Sequence, residues 1–128
     1  MVRTDRFPAD LLEEVFKAHK ASQEELSQQD TKYVYVVAHE KMMVYEDLEF
    51  IIESVFYTLD SANTKTMDIF TEYYHDYEPA SFYDKSAGQR VGERSVGWYL
   101  SSNGTFPLEV EDDAGSICRI YAERHEIE

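Results

Sequence analysis

The chain is short of most of the features that announce a function. It has one cysteine, Cys118. An intramolecular disulfide is therefore impossible, and nothing calls for an oxidising compartment. Its three prolines and five glycines make no linker, low-complexity tract or internal repeat. Gly88, Gly92 and Gly97 fit neither GxGxxG nor GxxxxGK[ST], so no nucleotide signature is present. No apolar run approaches the ~20 residues of a membrane-spanning helix. The first residues, MVRTDRFPADLLEEVF, lack the apolar segment of a secretory signal, and the expectation is a reducing, cytoplasmic setting.

Positive charge is also scarce. Twelve Lys and Arg stand against 26 Asp and Glu, a net charge of −14. Such a field repels phosphate backbones and anionic membranes. Direct binding of nucleic acid or membrane is not expected; attraction of a basic protein, including a nucleic-acid-binding one, is. Solubility alone is the plainer meaning of the same charge. The four histidines, His19, His39, His75 and His125, form no HxH or HExxH pattern, so no metal and no cofactor are expected. No serine sits in a GxSxG elbow. Cys118, flanked by Ile117 and Ile120, reads as buried filler rather than a nucleophile. No catalytic residue is assigned.

What is present suits a globular chain. Hydrophobic residues make up 43% and aromatics 14%, which argues against disorder. The expected organisation is a single domain, residues 1–128, long enough to bury on the order of two-thirds of its unfolded surface. Residues 8–26 predict an amphipathic helix, with Leu12, Val15, Phe16, His19 and Leu26 on one stripe and Pro8 at its start. Residues 32–38, KYVYVVA, predict a strand. Residues 41–44 suit either a return strand after a His39-Glu40 turn or the lead-in to a helix. Residues 45–59 place Leu48, Ile51, Ile52, Val55, Phe56 and Leu59 at 3–4 spacing, and so predict a second helix. Residues 60–63 predict a loop.

The stretch 66–84, TMDIFTEYYHDYEPASFYD, concentrates acids and aromatics without a single Lys or Arg. Over 66–77 two periods fit. A helix would align Met67, Phe70, Tyr74 and Tyr77; a strand would put Met67, Ile69, Tyr73 and Tyr77 inward, with Asp68, Phe70, Glu72, Tyr74 and Asp76 outward. The Thr, Ile, Phe and Tyr content favours strand. Residues 84–97 predict a glycine-rich loop leading into a strand. Near the end of the chain, Val96, Trp98 and Leu100 alternate, as do Phe106, Leu108 and Val110. A three-residue link, Ser102-Asn103-Gly104 with Gly104 left-handed, pairs Trp98 with Leu108 and sets all six apolar residues on one face. Pro107, which lacks a donor, suggests an edge. Residues 116–124 predict a last strand with Cys118, Ile120 and Ala122 on one face. The expected fold class is α+β: two amphipathic helices packed on an antiparallel sheet of about four to six strands.

Two functional readings follow. In the first, the chain is a small acidic, non-enzymatic interaction module: an inhibitor, an immunity-like factor, an adaptor, or a viral accessory or structural protein. Its contacts to a basic partner would come from Asp68, Glu72, Tyr73, Tyr74, Asp76, Tyr77, Glu78 and Tyr83, since tyrosines are enriched at interface hot spots. Homo-oligomerisation is left open. Asp68, Glu72 and Asp76 are too widely spaced to imitate a phosphate backbone by themselves. In the second, the chain is a small-molecule- or anion-binding domain or enzyme built on the locally positive segment 85–98, with Lys85, Arg90, Arg94 and Trp98 as ligand-binding residues. The bland alternative for that segment is a surface loop whose arginines pair with local acids.

Overall fold

The first helix, α1 (Ala9–Leu26), starts directly after Pro8, whose carbonyl accepts the first helical bond from Leu12 N–H at 3.1 Å. Its apolar face buries Leu11 and Val15, with Leu12 and Ala18 packed against them. The stripe is thus rotated from the expected one: Phe16 is 51% exposed. Glu13 and Lys17 form an outward i,i+4 ion pair at 3.5 Å, an increment of only ~0.3–0.5 kcal/mol. The computed structural model describes residues 7–26, 32–42, 49–85, 95–112 and 116–127.

The remaining elements in chain order are β1 (Lys32–Met42), β2 (Glu49–Phe56), α2 (Leu59–Tyr73), a short 3-10 turn (Pro79–Ser81), β3 (Phe82–Asp84), β4 (Ser95–Trp98), β5 (Leu108–Glu111) and β6 (Ile117–Ile127). The six strands form one sheet in the order β2-β1-β6-β5-β4-β3. All neighbours are antiparallel except β3 and β4, which are parallel. The sheet is therefore mixed rather than purely antiparallel, and the described residues make an α+β arrangement of two α-helices and six strands.

Two segments depart from the sequence patterns. The first is 45–59: its described part, from residue 49, is strand β2 followed by the start of α2. The cause of the helical look is a bulge. Ala38 pairs with Ile52 and Val37 with Ser54, so Glu53 is an extra residue in β2. A bulge shifts the side-chain phase by one. Ile52 and Val55, three apart, then share a face, and strand residues imitate helical spacing. The chain also runs through His39-Glu40 without turning, as part of β1.

The second is 59–77. Residues 59–73 are helical, including the stretch 60–63 expected as a loop. Thr58 caps the helix by accepting from Ser61 N–H at 3.2 Å, and Asp60 lies in the first turn, where a negative charge suits the helix dipole. The helical alignment of Met67, Phe70 and Tyr74 prevails over the strand preference of Ile69 and Phe70 because that face has a core to fill. Phe70 is fully buried and Tyr73 is half exposed, the reverse of the strand assignment for both.

Phe70 is the hub of the core. Its ring lies 5.2 Å from that of Phe82, 5.4 Å from Phe7, 5.9 Å from Tyr74 and 6.4 Å from Tyr77, tilted and edge-on contacts that aromatic quadrupoles favour. Both helices join this core with one face of the sheet: Tyr35 and Val37 of β1, Phe82 of β3, Val96 and Trp98 of β4, Leu108 and Val110 of β5, and Cys118, Ile120 and Ala122 of β6. The pairing of Trp98 with Leu108 and of Val96 with Val110 is the register expected from the apolar pattern. Ser101 N–H bonds Thr105 O at 2.8 Å across the three-residue link, and Gly104 has φ 90°. β5 is interior, not an edge; Pro107 falls just before it, where its missing donor breaks no ladder bond.

A buried polar joint locks the helices to this turn. Asn63, fully buried, donates to Gly104 O at 3.0 Å and reaches His19 Nε2 at 2.9 Å. With Nε2 accepting, the His19 proton sits on Nδ1, which faces Asp60 Oδ1 at 3.9 Å. Burial holds His19 below its ordinary pKa, and Asp60 offsets part of that effect.

Among the described residues, no helix is long and apolar enough to cross a membrane.

Candidate functional site

Alternation along the strands gives the sheet two unlike faces. One lies under the helices. Over the other no helix packs among the described residues. At its β2 end it is apolar. Val36 and Met42 of β1 and Phe50, Ile52 and Val55 of β2 all point this way, as the pairs Val36↔Val55, Ala38↔Ile52 and Glu40↔Phe50 require. Phe50, Ile52 and Val55 are 53%, 59% and 53% exposed, and Tyr57, just after β2, is 73% exposed. Single exposed apolar residues are ordinary; a contiguous group marks an interaction surface. β2 is also the outer strand of the sheet. Its bulge at Glu53 and the charges of Glu49 and Glu53 are the devices that discourage edge-to-edge pairing.

Towards β6, β5 and β4 the same face turns polar. Glu109 of β5 accepts from Lys85 Nζ at 3.1 Å and lies 3.4 Å from Arg119 Nε. Beside them, Glu40 of β1 bonds the Tyr121 hydroxyl; burial first, and then the Glu40 and Glu123 carboxylates, raise that phenol's pKa. Gly97 forms the floor. A side chain there would place its Cβ 2.8 Å from Tyr83 Oη, so glycine is what lets Tyr83 and Lys85 lie flat on the strand.

This polar half opens into a cleft of about 720 Å³. Tyr99, Ser101, Asn103 and Pro107 line one wall. Consecutive residues of β6, from Tyr121 to His125, line the other. Consecutive lining residues mean that the edge of the strand, not only one of its faces, borders the cleft.

Beneath α2 lies a buried titratable group. His39, with 0% exposure, shares a 2.5 Å hydrogen bond between Nε2 and the Tyr74 hydroxyl. Its Nδ1 has no hydrogen-bond partner, and Glu53 Oε1 is 3.8 Å away. Burial, with a smaller contribution from Lys41 against the opposing pull of Glu49, lowers its pKa from the ordinary 6.5 to about 4. Burial and the neighbouring Cys118 raise the Tyr74 phenol well above its ordinary value. Both groups are neutral near pH 7. With His39 and Cys118 shut away from solvent, the cluster offers no access for general-base or nucleophilic chemistry. It holds α2 to β1 and β6.

The residues expected to contact a partner are split. Tyr77 is buried and its hydroxyl donates to Glu111 O at 3.3 Å. Tyr74 is the His39 partner just described. Tyr83 lies half-buried over Gly97 on the helix-free face. Asp68 is half-buried on α2, and Glu72, Tyr73, Asp76 and Glu78 are exposed on or just after that helix. Tyr73 carries the Lys41 amine 5.2 Å from its ring centroid. Of the expected ligand-binding residues, Lys85 reaches the cleft, Trp98 turns into the core, and Arg90 and Arg94 lie outside the described residues. Among the described residues no group of three His, Cys, Asp or Glu side chains is placed to hold a metal ion.

The apolar strip on β2 was missed because its spacing mimicked a helix. The signal that could have found it was composition: FIIESVF is rich in β-branched and aromatic residues. No family model matches the chain, and no curated protein or solved structure does either.

Proposed function

We propose that the chain is a non-enzymatic protein-interaction module that takes a basic partner protein on the helix-free face of its sheet. The observation that carries this reading is the contiguous exposure of Phe50, Ile52, Val55 and Met42. Glu40, paired with Phe50, borders this strip, and the net charge of the chain is −14. An apolar patch inside an acidic field selects a partner with apolar anchors and basic flanks. A second copy, equally acidic, is repelled at low salt. The exposed acids of the α2 region, Glu72, Asp76 and Glu78, add to the field that steers such a partner without touching it.

The test is affinity capture with the immobilised chain, identification of the retained protein, and reconstitution from purified components. The expected partner is basic, binds stoichiometrically and is weakened by salt; Ile52→Glu abolishes binding while the chain stays folded. Equal retention by Ile52→Glu, or a chain that merely dimerises through this face in sedimentation, overturns the proposal.

The second reading, small-molecule or anion binding, draws support from the cleft and Lys85. It is the weaker one, because the Lys85 and Arg119 cations both lie against Glu109. Thermal stabilisation by millimolar phosphate or nucleotide would favour it.

A further inference from the structure

β6 is paired unequally on its two sides. Against β1 it is matched along its whole length, from Ile117↔Met42 to Ile127↔Lys32. Against β5 it is matched only from Ile117↔Glu111 to Ile120↔Leu108. Beyond Leu108 the neighbouring chain leaves the sheet. The turn around Gly104 bends towards the helices, held there by the Asn63 bond to Gly104 O at 3.0 Å. No described residue takes the place of β5 beside Tyr121–Ile127. Among the described residues the result is a notch inside the sheet, a strand edge of about 20 Å with no neighbour, at the usual rise of an extended chain. The 720 Å³ cleft opens into this notch along Tyr121–His125.

An unpaired strand edge presents backbone N–H and C=O groups at fixed spacing, a template for one further strand. We infer that the notch beside Tyr121–Ile127 is a β-augmentation site that takes an extended, basic segment of a partner polypeptide. The class of ligand follows from two observations. The bonding groups on offer are backbone groups in ladder geometry, which fit an extended peptide. The charges on offer favour a basic one. Lys85 and Arg119 lie against Glu109, and Arg124 is stacked 4.1 Å over the Tyr33 ring. Glu126 and Glu123, the latter 3.3 Å from His125 Nε2, are exposed along this edge, within a chain of net charge −14. The opposite wall, with Ser101, Asn103 and Tyr99, supplies small polar groups that discriminate little among side chains. Specificity then comes from backbone pairing and charge.

This inference shares with the functional proposal only the sign of the partner's charge. It concerns the cleft beside β6, in the polar half of that face, and not the apolar strip on β2, so the two can fail separately.

The experiment uses the full chain and synthetic peptides of about ten residues, the length that spans such an edge. One alternates Lys with Thr and Val. A second replaces Lys by Glu. A third carries proline at every other position and so lacks half its donors. Hydrogen exchange is followed amide by amide. In the free chain, several amides of residues 121–127 should exchange freely while those of 117–120 are protected. The Lys peptide should slow the 121–127 amides by about tenfold or more. The proline peptide should not, and the Glu peptide should bind more weakly. Glu123→Lys should weaken the Lys peptide; Ile52→Glu should leave it unchanged. The inference is overturned if 121–127 are already as protected as 117–120 in the free chain, or if no peptide protects them. It is equally overturned if the proline peptide protects as well as the Lys peptide, or if protection falls on residues 49–56 instead.

Discussion

On β1, Tyr35, Val37 and His39 point beneath α2 and are buried; Val36, Glu40 and Met42, on the same strand, point to a face that no described helix covers. The same contrast runs across the sheet. On β5, Leu108 and Val110 are buried against Glu109 and Glu111, which are partly exposed. Most of the sheet therefore follows the ordinary rule of an antiparallel layer with one wet side. β2 breaks that rule, because its outward side chains are Phe50, Ile52 and Val55. Full burial of one such side chain is worth ~1.5–3 kcal/mol, and on this face most of that gain is unrealised. On this reading the covered face accounts for folding, and the exposed strip is the part we propose takes a partner. The predictions test that division, first where folding should suffer most.

Phe70→Ala should be the most damaging change. It removes the ring that touches Phe7, Tyr74, Tyr77 and Phe82, and a buried Phe→Ala substitution costs about 3–5 kcal/mol. Urea unfolding measures it; a loss below about 1 kcal/mol, the level of an ordinary point substitution, would mean that α2 does not seal the covered face.

Next comes pH. His39 is neutral in the fold, with its pKa lowered from 6.5 to about 4. The unfolded chain binds a proton in that range before the folded one does. Stability is therefore full above about pH 6.5 and falls as pH drops towards 4. Between pH 7 and pH 5 the loss should be about 2 kcal/mol, seen as a drop in urea midpoint. His19, also held low by burial, titrates in the same direction, so a non-titrating His39→Gln chain should have a lower profile with a distinctly shallower slope across it. An equal slope in the variant would place the pH response elsewhere.

How much of this could be read from residues alone varied with how local the determinant was. The 98–108 register was legible: only one link length puts Trp98, Leu100, Phe106 and Leu108 on a common face, and Gly104 sits where that link needs a positive φ. The presence of helix α1 and strand β6 was legible because their periods are uninterrupted, but the buried stripe of α1 was not, since Leu11 faces the core and Phe16 does not. β2 was not, since one extra residue at Glu53 converts period two into an apparent period of three. α2 was ambiguous because Ile69, Phe70 and Tyr73 prefer strands locally, and the buried face that decides between periods is completed by Phe82 beyond the helix and by Phe7, far away in the chain. The notch beside β6 could not be read at all. It depends on where β5 stops, and that is set by the Asn63–Gly104 bond across 41 residues.

Gly104→Ala probes that last determinant. The residue has φ +90°, and an added Cβ would lie 2.6 Å from Leu59 Cδ2. A non-glycine residue in the left-handed region costs about 1–2 kcal/mol. Because the turn holds the 99–107 segment out of the sheet, the substitution should also alter the exchange of the 121–127 amides on β6. A destabilised chain with unchanged exchange there would separate the turn from the notch.

Ile52→Glu should have the smallest effect on folding and the largest on association. Ile52 is 59% exposed on the outer strand, facing away from the helices. An exposed substitution of this kind stays within about 0.5 kcal/mol of the parent. If the covered face alone sustains the fold, urea midpoints of parent and variant should coincide. At the partner interface the same carboxylate would be buried without a counter-charge, which costs several kcal/mol. Binding should therefore fall by at least about a hundredfold, roughly 2.7 kcal/mol. The decisive reading is the pair of numbers together. A variant that loses more than about 1 kcal/mol of stability and unfolds before binding is lost would make the strip part of the core. A variant that keeps both its stability and its partner would leave the exposed apolar face without a role in recognition.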